Sequence, residues 1–301
     1  MTALPRVSIG LPVFNGGTLI RNAIEANLSQ TFSDFELNIS DNASTDDTPD
    51  TCAEYARADR RIRFVRQPSN CGVNRNHAHV FAMARGQLFR WASADDVPSV
   101  ELLEHAVARL DEDPTLVAYV PDTVNIDAAG RLVRRLERTL DLREKSPVER
   151  AEAVLTRSYQ MVFAQGLMRM DTLRTTSCRW DYFGWDFILL FELALRGPLS
   201  NVEGPLLYRR LHEKSAAHRT RQVAEVRRWV DPTIGARILM PHWKWTWERV
   251  RAAFAAPLSG RERIRLLSLV LRDARWSRAT LGRDVVMATK LLLGRTDEYP
   301  F

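Results

Sequence analysis

Residues 7–48 read VSIGLPVFNGGTLIRNAIEANLSQTFSDFELNISDNASTDDT. Val7–Leu11 is a short apolar run ended by Pro12, the pattern of a buried strand. After Gly17, residues Leu19, Ile20, Ala23, Ile24 and Leu28 return at helical spacing, which predicts an amphipathic helix over 18–29. Phe35–Ser40 (FELNIS) reads as a second strand, closed by the polar cluster Asp41–Thr48. The alternation continues with a helix through Thr51–Ala58, a strand Ile62–Val65, a helix about Ala78–Ala84 and a strand Leu88–Ala92 that ends at Asp95-Asp96. Strands and helices in turn, joined by short polar loops, predict an α/β fold with a mostly parallel sheet covered on both faces. Ligands of such sheets bind beyond the carboxyl ends of the strands. The polar clusters at 12–16, 41–48 and 94–96 all fall there.

Outward from this core, a helix is expected around Val100–Leu110, strands near 116–120, 161–168 and 200–208, and an apolar helix over Asp186–Leu195. The Arg-rich stretch 131–150 reads as a helix with a solvated face. The 301 residues are 45% apolar, enough for a sizeable core, so disordered and collagen-like classes are excluded. The three cysteines have no CxxC spacing, and neither a disulfide framework nor a zinc ribbon is expected; a reducing cytosol fits. No signal peptide and no run of about 18 apolar residues is visible. The net charge of +6 is uneven: residues 219–301 hold 17 Lys and Arg against 8 Asp and Glu, and five of the eight tryptophans. Two parts are therefore expected, an α/β domain over 1–218 (in two halves, 1–97 and 98–218) and a basic helical extension over 219–301.

Three acidic positions could carry chemistry. Asp41-Asn42 follows the second strand, Asp95-Asp96 follows the fourth, and Asp186 opens a helix after Gly184 and Trp185. Adjacent carboxylates at a strand end suit a divalent cation that also holds a phosphate. An Asp beyond a sheet can accept from a base or a ribose, and Asp186 could serve as a general base. Turn and cap chemistry explains each of these residues singly without any function. Their joint order is what counts.

That order resembles family 2 glycosyltransferases. PVFNGG (Pro12–Gly17) is similar to the family's P-x-Y/F-N opening, and SDNASTDDT (Ser40–Thr48) to its D-D/N-G/A-S-T-D-x-T segment. NCGVNRNHA (Asn70–Ala78) and ARGQLFRWASADD (Ala84–Asp96) resemble its N-x-G, A-x-G-x-Y and D-x-D stretches, with Ala94 at the first carboxylate of the D-x-D and Asn42 at the second acid of the earlier pair. GWDFILLFELALRG (Gly184–Gly197) resembles its W-D helix, and YRRLHEKS (Tyr208–Ser215) its Y-R-x-H-x-x-S ending with one extra residue. The resemblance covers roughly 5–215. It implies a GT-A fold, Rossmann-like, and an inverting transfer from a UDP-, GDP- or dTDP-sugar that needs Mn²⁺ or Mg²⁺. Pro12, Phe14, Asn15, Asp41 or Asn42, and Arg75 would then lie along the nucleotide. Asp95 would touch ribose or donor sugar, Asp96 would hold the metal, and His212 would flank the metal or the diphosphate. Asp186 would be the base. Trp185 beside it either stacks on an acceptor sugar or packs in the core.

Three explanations compete for the extension: helices packed on the domain or in a homo-oligomer, contact with a membrane surface, or binding of nucleic acid. Nucleic acid is not expected, because broad apolar faces such as that of ERIRLLSLVLR (262–272) would have no role there. A saccharide or lipid-linked acceptor in surface polysaccharide synthesis, and a cytoplasmic place at or near the inner membrane face, follow from the resemblance. A nucleotide-sugar hydrolase or nucleotidyltransferase on a similar sheet, and a non-catalytic sugar- or membrane-binding module, stand as the alternatives.

Overall fold

The structure is a computed structural model; it describes residues 4–137, 140–143, 145–156, 163–178, 181–201, 203–211, 229–230, 232 and 240–293. Strand β1 (Val7–Val13) pairs in parallel with β2 (Phe35–Asp41) on one side and with β4 (Leu88–Trp91) on the other, and β2 pairs in parallel with β3 (Ile62–Arg66). The register sets Val13 opposite Asp41, so the loops after β1 and β2 leave the sheet at the same level. Helices α1 (Leu19–Leu28), α2 (Thr48–Ala58) and α3 (Val73–Met83) make the crossovers.

Strand β2 is buried along its whole length although it alternates apolar and polar residues. Three of its polar side chains, Glu36, Ser40 and Asp41, find partners inside the protein, while among the described residues the Asn38 amide is buried without a hydrogen bond. Ser8 Oγ donates to Glu36 at 2.7 Å, the Arg85 guanidinium donates to the same carboxylate at 2.8 and 2.6 Å, and Ser40 Oγ donates to Asn76 Oδ1 at 2.6 Å. Burial works to raise the Glu36 carboxyl, but these bonds outweigh it and hold the group below the usual carboxylate range.

Beyond β4 the chain runs through β5 (Val97–Pro98), α4 (Leu102–Glu112), β6 (Ala118–Tyr119), β7 (Asp122–Ile126), β8 (Leu132–Arg135), α5 (Pro147–Thr156), β9 (Leu167–Arg169), α6 (Met170–Thr175), α7 (Trp185–Arg196), β10 (Leu199–Ser200) and β11 (Leu206–Arg210). The main sheet has the order β10-β6-β9-β4-β1-β2-β3, with β9 antiparallel to both of its neighbours. A smaller sheet has the order β5-β11-β7-β8. The expected mostly parallel α/β sheet is present. The expected helix over 131–150 is not: β8 occupies 132–135 as an exposed strand, and only α5 is helical. Its arginines pair locally with acids, Arg135 with buried Asp122 and Arg143 with Asp141, while Arg150 is itself buried with Nε donating to Ala194 O at 2.6 Å.

The described part of the extension forms α8 (Pro241–Ala255), α9 (Gly260–Trp276) and α10 (Arg278–Leu292). Ser259 and Glu262 close a capping box at the start of α9. Ala252, Ala253, Leu266, Leu269 and Val270 share one core with Leu190, Phe191 and Leu193 of α7 and Ala151 of α5. Helices α8 and α9 are thus packed on the α/β unit, and α10 packs on those two. Leu266 is fully buried in that shared core, so Leu266→Ala should cost about 2–4 kcal/mol through lost burial and a residual cavity. The loss should appear as one cooperative shift of the whole unfolding curve. Two separate transitions would mean that the helices fold apart from the sheet.

Candidate active site

The loop after β1 is built by the loop after β2. Asn15 takes a left-handed conformation (φ 51°), which Asn tolerates better than most residues. Its backbone N–H donates to Ser44 Oγ at 2.8 Å, and its side-chain oxygen accepts from Thr45 N at 2.8 Å. Gly16 N donates to Thr48 Oγ1 at 2.9 Å and Gly17 N to Asp46 Oδ2 at 3.0 Å. The Ser, Thr and Asp of SDNASTDDT therefore stitch two strand ends together. Pro12 stays in the strand, half-buried, while Phe14 and Asn15 reach the surface.

Asp41 is fully buried; it accepts from Ser44 N and Oγ and lies 3.4 Å from Arg66 Nε. Asn42 accepts from Cys71 N at 2.9 Å and donates to Asn70 Oδ1 at 3.0 Å, fastening the N-x-G loop. Gly72 caps α3, which starts earlier than its apolar spacing suggests. Arg75 is exposed on the first turn of α3. On the buried side, Asn76 Nδ2 donates to Ser40 O at 2.9 Å and to Val13 O at 3.3 Å, and Asn74 Nδ2 donates to Tyr182 O at 2.8 Å. The sequence reading did not single out these two asparagines, although polar residues at 74 and 76 within a helix were the available signal.

After β4 the chain turns at Ser93, whose hydroxyl donates to Asp95. Asp96 is buried; Oδ2 accepts from Gln165 Nε2 at 2.5 Å and Oδ1 from Arg210 N at 2.8 Å. Burial and the neighbouring Asp95 charge push the Asp96 carboxyl up to about 6. Arg90, on β4, is fully buried, and among the described residues its guanidinium nitrogens have no hydrogen-bond partner; burial pulls it down to about 10, against the charge of Asp96. Asp95 and Asp96 offer hard carboxylate oxygens, and Asp96, which burial makes reluctant to ionise, gains from a nearby dication, so the residues fit Mn²⁺ or Mg²⁺. His212 lies outside the described residues. Among those described, no group of three or more His, Cys, Asp or Glu gathers as a metal cluster.

Asp186 is the second residue of α7, half-buried, with Oδ1 accepting from Phe187 N at 3.2 Å. Burial pushes its carboxyl up to about 6. Trp185 is only 7% exposed and packs its ring 5.4 Å from Trp91 and 5.7 Å from His77. That position favours the core reading of Trp185 over the sugar-stacking one. It also ties the start of α7 to the end of β4, the strand that leads into Asp95 and Asp96. The strand-end loops and the Asp186 turn thus share one edge of the molecule through Asn74, His77 and Trp91.

A mostly parallel sheet with acidic loops at its carboxyl edge and a half-buried acid at a helix start defines an α/β fold of the nucleotide-sugar transferase type. Residues 8–170 match the profile of Glycosyl transferase family 2, and the chain belongs to that family. It is 30% identical over 130 residues to chondroitin synthase of Escherichia coli, covering 43% of this chain and 19% of that protein. It is 24% identical over 106 residues to glycosyltransferase GlyG of Streptococcus pneumoniae, covering 35% of each. The chain spans well under two thirds of the length of these curated relatives. Among solved structures, TarS 1–349 of S. aureus in complex with UDP-GlcNAc aligns with a TM-score of 0.62 at 14% identity, over 95% of this chain and 81% of that one. The mannosyltransferase PcManGT of Pyrobaculum calidifontis, in complex with GDP-Man and Mn²⁺, aligns with a TM-score of 0.54 at 16% identity, over 96% and 76%. These likenesses establish the GT-A fold. No described helix is long and apolar enough to cross a membrane.

Proposed function

We propose that the chain transfers a sugar from a nucleoside diphosphate donor to an acceptor hydroxyl, with inversion at the anomeric carbon. The observation that carries this reading is Asp186: an acid pushed up to about 6 by burial, at the edge where the β1, β2 and β4 loops open. A base poised near neutrality can accept the acceptor's proton as the hydroxyl attacks. Phe14, Asn15 and Arg75, all exposed at this edge, lie along the nucleotide, with Pro12, Asp41 and Asn42 shaping the loops that bear it. Asp95 touches ribose or donor sugar and Asp96 holds the cation. The bound cation would neutralise charge on the departing diphosphate. The acceptor class, a saccharide or lipid-linked saccharide of a surface polysaccharide, is suggested by relatives such as chondroitin synthase. A thermal-shift panel of UDP-, GDP- and dTDP-sugars with and without Mn²⁺ tests the donor, since a ligand that binds the native state raises its stability by mass action. The reading fails if no nucleotide sugar shifts the curve.

The exposed faces of α8 and α9 favour a second element of this reading, contact with an anionic membrane. Trp247 and Phe254 are exposed on α8 with Arg251 between them, and Ile264, Leu271 and Trp276 are exposed on α9 among Arg261, Arg265, Arg272 and Arg275. Aromatic rings beside arginines suit the headgroup region, and each cation near an anionic surface contributes about 1 kcal/mol. The protein should co-sediment with phosphatidylserine vesicles, and the binding should weaken strongly toward about 0.5 M salt. Trp247→Ala with Trp276→Ala should remove the salt-resistant part. Failure of the full chain to sediment at low salt would remove the membrane from this reading.

A further inference from the structure

Helix α8 reaches directly into the turn that carries Asp186. Trp245 Nε1–H donates to Phe183 O at 2.7 Å, and its ring lies 6.2 Å from that of Phe183, near parallel, and 5.3 Å from that of Phe187. Gly184, between these two phenylalanines, has φ +74°, and a Cβ there would sit 2.5 Å from Trp245 Cζ2. The indole therefore presses on the backbone at the one point where no side chain intervenes. Lys244, the preceding residue, places Nζ 5.1 Å from the centre of the Tyr182 ring, while Asn74 of α3 holds Tyr182 O from elsewhere in the fold.

The indole is itself held. The His242 ring contacts it edge-on at 4.8 Å. His242 is fastened to the fully buried Asp284 of α10, with Nδ1 3.0 Å from Oδ1 and the backbone N–H donating to Oδ2 at 2.9 Å. A connected path therefore runs from Asp284 through His242 and Trp245 to Phe183 and Gly184, and ends one residue short of the pair Trp185-Asp186. Gly184 caps α7 without a side-chain hydrogen bond, so the first turn of this helix draws its orientation from its neighbours rather than from a cap of its own.

We propose that Trp245 is a positioning residue for Asp186: the C-terminal helices clamp the turn over 182–186 and thereby set where the carboxylate stands. The role as a base rests on the reading above; the clamp rests on contacts alone. Misplacing a reacting group by about 1 Å can cost about 10²-fold in rate, so a loosened turn should be felt in turnover and not in donor affinity.

The test compares Trp245→Phe with Trp243→Phe in the full chain. Phe keeps a ring in the core but removes the donor to Phe183 O, and Ala is avoided because it would also open the core. Trp243 is the matched control: its Nε1 donates to a backbone carbonyl too, Leu281 O at 3.0 Å, away from the Asp186 turn. Amide exchange over 183–187 and steady-state release of nucleoside diphosphate are measured, using the sugar nucleotide of the panel that gives the largest thermal shift. Trp245→Phe should speed exchange over 183–187 by about tenfold and lower kcat by about tenfold with KM unchanged, roughly the effect of one lost hydrogen bond. Trp243→Phe should change neither. Exchange at the wild-type rate in Trp245→Phe overturns the proposal whatever Asp186 does. Faster exchange with unchanged kcat also overturns it, provided Asp186→Asn is inactive. If Asp186→Asn still turns over while Trp245→Phe loosens the turn, the clamp stands and it is the base reading that falls.

Discussion

Asp186→Asn should lower turnover by about 10²–10⁴-fold, the range for a positioned proton acceptor, while the thermal shift given by the donor stays as in the wild type. Asn keeps the shape and the hydrogen bond from Phe187 N, but it cannot take a proton from the acceptor. The pH profile should follow the same group. Burial pushes the Asp186 carboxyl up to about 6, so wild-type turnover should rise as pH passes through about 6 and the ionised form accumulates. Stability should move the other way. A carboxyl raised above its unfolded value lends stability that is complete below the ordinary carboxylate range and lost as pH rises through about 6. Asp186→Asn, neutral at every pH, should therefore match the wild type near pH 3, below the ordinary carboxylate range, and exceed it near pH 8. The gain should be about 1 kcal/mol once the solvent-open part of the carboxyl is discounted. An activity site that costs stability when ionised is expected of a functional acid. If donor affinity falls in step with turnover, or the variant is the weaker protein at pH 8, Asp186 is a structural or donor contact instead.

Much of this arrangement could be read from residues alone, for physical reasons that differ by element. Strand β1 lies inside a parallel sheet and reads as a short apolar run, although it continues through Pro12 to Val13. Strand β3, at the sheet edge, alternates Ile62 and Phe64 with exposed Arg63 and Val65. The start of α3 was hidden because Asn74 and Asn76 look like loop residues. Each has its amide bonded to a distant element, Asn76 to the ends of β1 and β2 and Asn74 to Tyr182, and such pairing leaves no local trace. The partners of Asp96 were invisible for the same reason, since Gln165 and Arg210 lie 69 and 114 positions away in sequence. The stretch 131–150 was misread because clustered arginines carry no period; the strand at 132–135 shows exposed Leu132 and Val133 that a helical face would not explain. In α9 an apolar stripe predicts burial against something, but not what. Leu266, Leu269 and Val270 face the shared core while Ile264, Leu271 and Trp276 face outward, so one helix contains both the packing answer and the surface that suits a membrane.

Asp96→Asn should abolish measurable transfer, by at least about 10³-fold, because stabilising the departing diphosphate through a cation is worth several kcal/mol in the transition state. The same variant should lose the part of the donor's thermal shift that depends on Mn²⁺ and keep the part that does not. EDTA on the wild type should reproduce both effects, and added Mn²⁺ should reverse them in the wild type but not in the variant. The fold should survive. Asn retains one acceptor, which can keep the bond from Arg210 N, and its amide can donate to the Gln165 carbonyl once that amide turns over. The substitution also removes a buried negative charge beside Asp95, the charge that together with burial pushes the Asp96 carboxyl up to about 6. Without metal or donor, the variant should then be at least as stable as the wild type at neutral pH, where burial and the Asp95 charge outweigh the help that Arg209 gives the ionised Asp96. Loss of activity with preserved or improved stability separates a cation-holding acid from a structural one. If the wild type in EDTA keeps full activity, the cation leaves the mechanism, and stabilisation of the diphosphate must then come from side chains such as Arg75 alone.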